Sequence, residues 1–160
     1  MSEAEDPLRS CGGCTACCYT HAVGEIRKYE FSDCPDCTSA GCAIYESRPR
    51  ACGAYFCLWA LQGVGNDTER PDKIGVVCNT LYTRFSDDDP PSILMLEART
   101  DALTEMGAQS LLARVLASGT SVRTGSRDSS PRYAYHVSRR SMKAYGELLQ
   151  GKNLKVVWHE

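Results

Sequence analysis

Hydrophobic positions along the 160-residue chain fall into two regimes. From residue 74 onward they group as in an ordinary core. IGVV (74–77) and ILML (93–96) are short apolar runs between turn residues, a pattern that predicts strands, with the acidic SDDDPPS (86–92) as an exposed loop between them. Over 101–118, Leu103, Met106, Leu111, Leu112, Val115 and Leu116 recur at helical spacing, with Thr100 or Asp101 as N-cap and Gly119 as stop. SVRT (121–124) and YAYHV (133–137) alternate as strands around the loop GSRDSSP. Ser138 can cap a helix through Leu149 that ends near Gly151, and LKVVW (154–158) reads as a last strand. Strands mixed with two helices predict a small α+β layer.

The first 63 residues differ: few long periodic stretches, and a density of cysteine instead. All ten cysteines lie at or before Cys78. A boundary therefore falls near GVGNDTERPDK (63–73), a Gly-, Asp- and Pro-rich stretch with the composition of a linker or long turn. The expected organisation is a cysteine-rich region over 1–63 and an α+β region over 64–160, the two packed as one compact unit.

Composition changes this picture little, except through cysteine. Apolar residues make up 42% and charged residues 24%, with a net charge of −2, so neither global disorder nor a strong nucleic-acid signal follows. No run of 18 apolar residues offers a membrane span. The start, MSEAEDPLRS, has neither the basic nor the apolar segment of a signal peptide, and a cytoplasmic location is expected. In a reducing compartment a cysteine framework serves metal binding or catalysis rather than disulfides, although an even count permits five bridges.

The spacings favour metal. In CGGC (11–14) and CPDC (34–37) a C-x-x-C turn brings two sulfurs within reach of one ion, as tetrahedral zinc or an iron–sulfur cluster requires. The run CGGCTACC adds Cys17 and Cys18 side by side. Adjacent side chains point in different directions, so one completes a site with Cys11 and Cys14 while the other serves a neighbouring site, or a thiolate bridges two ions. At least two metals close together are expected, with this run as their shared wall. Further on, Ser47 as N-cap and Pro49 in the first turn predict a helix over 48–61. There Cys52 and Cys57 would stand roughly 140° apart, too far round to chelate one ion as a pair. Nine thiolates around two zinc ions carry −5, and around three −3, a deficit for which Arg48 and Arg50 are candidate compensators. Cys78, within an apolar strand, reads as a structural thiol, and His21 as a hydrogen-bonded histidine rather than a ligand.

CGGCTACC, a second cysteine cluster, then GC-x-IYE-x-RP-x-x-C and F-x-C-x-W strongly resemble the CxxCxxCC family, the YkgJ-like zinc- or iron-chelating domains. The matching positions are Cys11, Cys14, Cys17, Cys18, Cys34, Cys37, Cys42, Tyr45, Arg48, Pro49, Cys52, Phe56, Cys57 and Trp59, and RPDK-x-G-VV (70–77, read with its glycine) also looks like the family. The resemblance covers about residues 11–80 and leaves Cys78 outside its motif. It implies zinc or iron as the metal and no particular reaction; a similar cysteine region occurs in enzymes that methylate flagellin lysines.

The expected ligands are Cys11, Cys14, Cys17, Cys18, Cys34, Cys37, Cys42, Cys52 and Cys57. The expected function is a metal-binding module, structural or metal-handling, with two or more zinc ions; the alternative is an iron–sulfur redox or enzyme component. Thiol redox chemistry at one exposed C-x-x-C lacks a thioredoxin-like βαβ context. The chain carries no G-x-S-x-G, P-loop or H-E-x-x-H. Arg132, Arg139, Arg140 and Lys143, beside Tyr133 and Tyr135, read as a solvated basic face, and Asp87–Asp89 as a solvated loop.

Overall fold

The computed structural model describes residues 8–81, 92–130, 132–138 and 155–159. The expected helix that follows Ser138, through Leu149, the acidic loop around Asp87–Asp89, and Arg139, Arg140 and Lys143 lie outside them; Ser138 itself is the last residue of a strand. The fold is α+β: a five-stranded mixed sheet, a separate two-stranded antiparallel pair, and short helices.

The large sheet runs β3 (Val76–Leu81), β4 (Ser92–Glu97), β5 (Ser121–Gly125), β6 (Tyr133–Ser138) and β7 (Lys155–His159), neighbours in that order. β3–β4 and β5–β6 are antiparallel; β4–β5 and β6–β7 are parallel. The parallel β4–β5 pairing needs a crossover, and α4 (Met106–Ala117) supplies it. Its Ala108, Leu111, Leu112, Val115 and Leu116 repeat on one face and pack on Val76, Cys78, Met95 and Val122. Met95 is fully buried, and side chains of this size contribute about 1.5–3 kcal/mol each when removed from water.

Two expectations about this half need correction. The helix begins at Met106, not near Asp101; Asp101 adopts a left-handed φ of 62° and opens a separate 3₁₀ turn, Ala102–Thr104. Met106 is consequently 85% exposed rather than in the core. IGVV is not one strand. Pro71 opens a one-turn helix α3 (Pro71–Ile74), Gly75 ends it at φ 74°, and the strand starts at Val76. Only glycine fits there, since a Cβ would come within 2.5 Å of Ala102 Cβ. The stretch 63–73 is tied down: Trp59 Nε1–H donates to Asn66 O at 2.8 Å, and Glu69 is gripped by Arg114 of α4.

The cysteine-rich region lies on the opposite sheet face from α4. Ala16, Cys57, Trp59 and Ala60 cluster with Val77 of β3. Its 29–31 loop reaches across to β6, where Glu30 accepts from Tyr133 Oη at 3.0 Å and from neighbouring Arg132 Nη1 at 3.0 Å. The expected helix over 48–61 is reduced to α2 (Arg50–Ala54), preceded by Pro49 rather than capped by Ser47. At Tyr55 the backbone turns extended, and Leu58 N–H then donates to Cys78 O on β3 at 2.8 Å. That long-range bond redirects the chain after α2 and carries Cys57 toward the sheet.

Candidate metal centre

Short local structures aim the cysteines. Both C-x-x-C segments close as turns: Cys14 N–H donates to Cys11 O at 3.0 Å, and Cys37 N–H to Cys34 O at 3.1 Å. α1 (Ala16–Thr20) carries Cys17 and Cys18. The antiparallel pair β1 (Cys37–Thr38) and β2 (Gly41–Cys42) sets Cys37 directly opposite Cys42. α2 carries Cys52, and Cys57 follows its redirected end.

Eight of these thiols (Cys11, Cys14, Cys17, Cys18, Cys34, Cys42, Cys52 and Cys57) line one cavity of about 200 Å³. Cys37 is off its wall, near enough to Cys18 for each to act on the other's titration. None of the ten cysteines is in a disulfide. Cys78 stands apart, 3% exposed in the core under α4, where burial pushes its thiol up to about 12.

The thiols act on one another's charge along the cavity wall. Cys57 acts on Cys11, Cys11 on Cys14, and Cys18, Cys14 and Cys57 on Cys17. Cys37 acts on Cys18, Cys18 and Cys34 on Cys37, and Cys18, Cys34 and Cys42 on Cys52. The adjacent Cys17 and Cys18 perturb each other strongly, while their further neighbours differ: Cys14 and Cys57 act on Cys17, and Cys37 and the Lys28 ammonium on Cys18. Cys18 and burial raise the Cys17 thiol, whereas Cys17, Cys37 and Lys28 favour Cys18 as the thiolate.

The donor set suits a thiophilic metal: clustered sulfurs, no competing disulfide, and cations behind them. Among the described residues, however, no three His, Cys, Asp or Glu side chains already close on one point. The thiols surround a space instead. Burial pushes Cys14 up to about 11, and Cys11 in the same direction, so binding there must displace protons.

The cations are only partly those expected. Arg48 lines the cavity, stacks on the Tyr45 ring at 3.8 Å and faces Cys11. Arg50 is exposed and does not line it; its backbone N–H is held by Glu25. Arg70 and Lys28 take part instead. Arg70 faces Cys11 and Cys14 while paired to Asp72 at 2.6 and 2.8 Å. Nothing local in IRKYE distinguishes Lys28, whereas Arg70 sits in the motif-like RPDK. His21 lines the cavity with both ring nitrogens engaged, Nδ1 with Thr20 Oγ1 at 2.7 Å and Nε2 with Asn79 Nδ2 at 3.1 Å. Asn79 also accepts from Tyr55, whose ring packs 4.4 Å from His21.

Compared with known proteins, the chain matches no family model, no curated protein and no solved structure. No helix among the described residues is long and apolar enough to cross a membrane.

Proposed function

We propose that the cysteine-rich half is a metal-binding module holding two or more zinc ions through Cys11, Cys14, Cys17, Cys18, Cys34, Cys37, Cys42, Cys52 and Cys57, with a structural or metal-handling role. The observation that carries this reading is the convergence of eight thiols from six separate local structures on one cavity. The motif likeness to the CxxCxxCC family supports it, and a cytoplasmic location would keep the thiols reduced. Zinc needs only the tetrahedral thiolate donors that these spacings provide. The residues' work is to present sulfur, shed protons on binding, and offset the accumulated charge with Lys28, Arg48 and Arg70.

An iron–sulfur cluster is the second reading. It is favoured by one feature: the thiols stand around open space of about 200 Å³, which would admit inorganic sulfide as well as metal.

Elemental analysis of untagged protein purified without oxygen decides between them. Two or more zinc per chain without acid-labile sulfide supports the first reading; iron with matching sulfide supports the second. A folded protein with no metal overturns both.

A further inference from the structure

Lys28 occupies an unusual position for a lysine. It is 6% exposed and lines the thiol cavity. Its ammonium donates to three backbone carbonyls, Tyr19 O at 3.1 Å, Tyr29 O at 2.8 Å, and His21 O. Tyr19 and His21 lie at the C-terminal end of α1, the helix that carries Cys17 and Cys18. Three carbonyls satisfy the donors of an ammonium but leave its charge unmatched. A buried charge without a counter-ion is costly, and no carboxylate among the described residues forms an ion pair with Lys28. Cys34, Cys18 and Cys17 line the same cavity as Lys28, and the anionic groups that act on it are led by Cys34 and Cys18, followed by Asp33 and then Cys17. Arg48 and Arg70 differ, since one rests on Tyr45 and the other is satisfied by Asp72.

We propose that Lys28 is the internal counter-cation of the centre containing Cys18 and Cys34, and the residue that fixes the end of α1 so that Cys17 and Cys18 diverge. The inference rests on the metal-binding reading. Its positive charge offsets part of the excess negative charge of a multi-thiolate site and damps the nucleophilicity of the bound sulfurs. Lys28 is therefore a positioning and charge-compensating residue, not a ligand.

The test uses the full chain loaded with zinc alone and two variants. Lys28→Gln keeps N–H donors for the carbonyls but removes the charge; Lys28→Arg keeps the charge. Zinc affinity is read by chelator competition, and the reactivity of the bound thiolates by their rate with an alkylating reagent. The expected result is about 10- to 100-fold weaker zinc binding in Lys28→Gln, the usual scale for losing a residue that supports metal ligands. Its alkylation should be faster, with both properties near wild type in Lys28→Arg. Wild-type affinity and reactivity in the Gln variant overturn the proposal, as do equal losses in Gln and Arg. If the Gln variant does not fold, the Arg variant decides: near-wild-type zinc supports the proposal, and weak zinc in a folded Arg variant overturns it. A wild-type chain that takes up no zinc overturns the metal reading itself, and this inference with it.

Discussion

The carboxylate of Glu25 accepts the backbone N–H of Ala51 at 2.8 Å and, through its other oxygen, that of Arg50 at 2.9 Å. A residue distant in sequence therefore caps α2, which has no side-chain cap of its own. Negative charge at a helix N-terminus and satisfied N–H groups both stabilise it. Glu25→Ala should cost about 1 kcal/mol, the usual value of a lost N-cap, measured as a lower urea midpoint. Because α2 carries Cys52, metal retention should fall with it, while Glu25→Asp should recover part of the loss.

The proposed division of the thiols between two metal sites, one with Cys17 and the other with Cys18, gives a second expectation. Cys17→Ser should remove metal held with Cys11, Cys14 and Cys57; Cys18→Ser should remove metal held with Cys34, Cys37, Cys42 and Cys52. Each single variant then loses part of the metal content and the double variant loses more, as counted by elemental analysis. A Cys18→Ser protein with full metal content and wild-type melting would overturn that division.

Much of this was legible from residue patterns where the interactions are local. The apolar repeat from Leu111 to Leu116 marked α4, and alternation marked β5 and β6. The two C-x-x-C turns followed from their spacing. What escaped was set by distant partners. Helical pattern around Arg48 could not reveal that Leu58 N–H bonds to Cys78 O and ends α2 early. Pro71 and Gly75 bracket a one-turn helix, whereas the apolar run beside them reads as a strand from Ile74. Lys28 carried no signal at all, because its role depends on carbonyls and thiols assembled only by folding.

Glu69 supports a stability prediction away from the cysteines. Glu69 is 8% exposed, and its carboxylate accepts from Arg114 Nη2 at 2.5 and 2.6 Å and from Asn66 N–H at 2.9 Å. Burial pushes this carboxyl up, but Arg114 and the Asn66 N–H outweigh it and hold it below the usual range. A depressed folded value means the contribution is present above the ordinary carboxylate range and is lost as pH falls through the folded value. Arg114→Ala should cost about 1–2 kcal/mol, less than a fully buried pair, because Arg114 is itself half exposed. Chemical denaturation across acidic pH should show the variant losing less stability than wild type as pH drops.

His136 also loses its contribution on acidification, but here the form that the fold favours is the neutral one. On β6 its Nε2 lies 3.0 Å from Thr124 Oγ1, and its Nδ1 3.0 Å from His159 Nε2 on β7. Thr124 can donate onward to Ala134 O at 3.5 Å, so the consistent arrangement has His136 donating to Thr124 and accepting from His159. That arrangement requires a neutral ring. Burial, then the neighbouring His159 and Lys155, lower its value from the usual 6.5 to about 4. Between those two pH values the unfolded chain binds the proton and the folded chain does not, so stability rises with pH across the window. Acidification from 6.5 to 4 should therefore weaken the β6–β7 pairing by on the order of 1–2 kcal/mol, reduced from the full shift because the ring is partly solvated. His136→Asn should flatten that part of the pH profile, read by thermal unfolding, whereas an unchanged slope would assign the acid sensitivity to other groups.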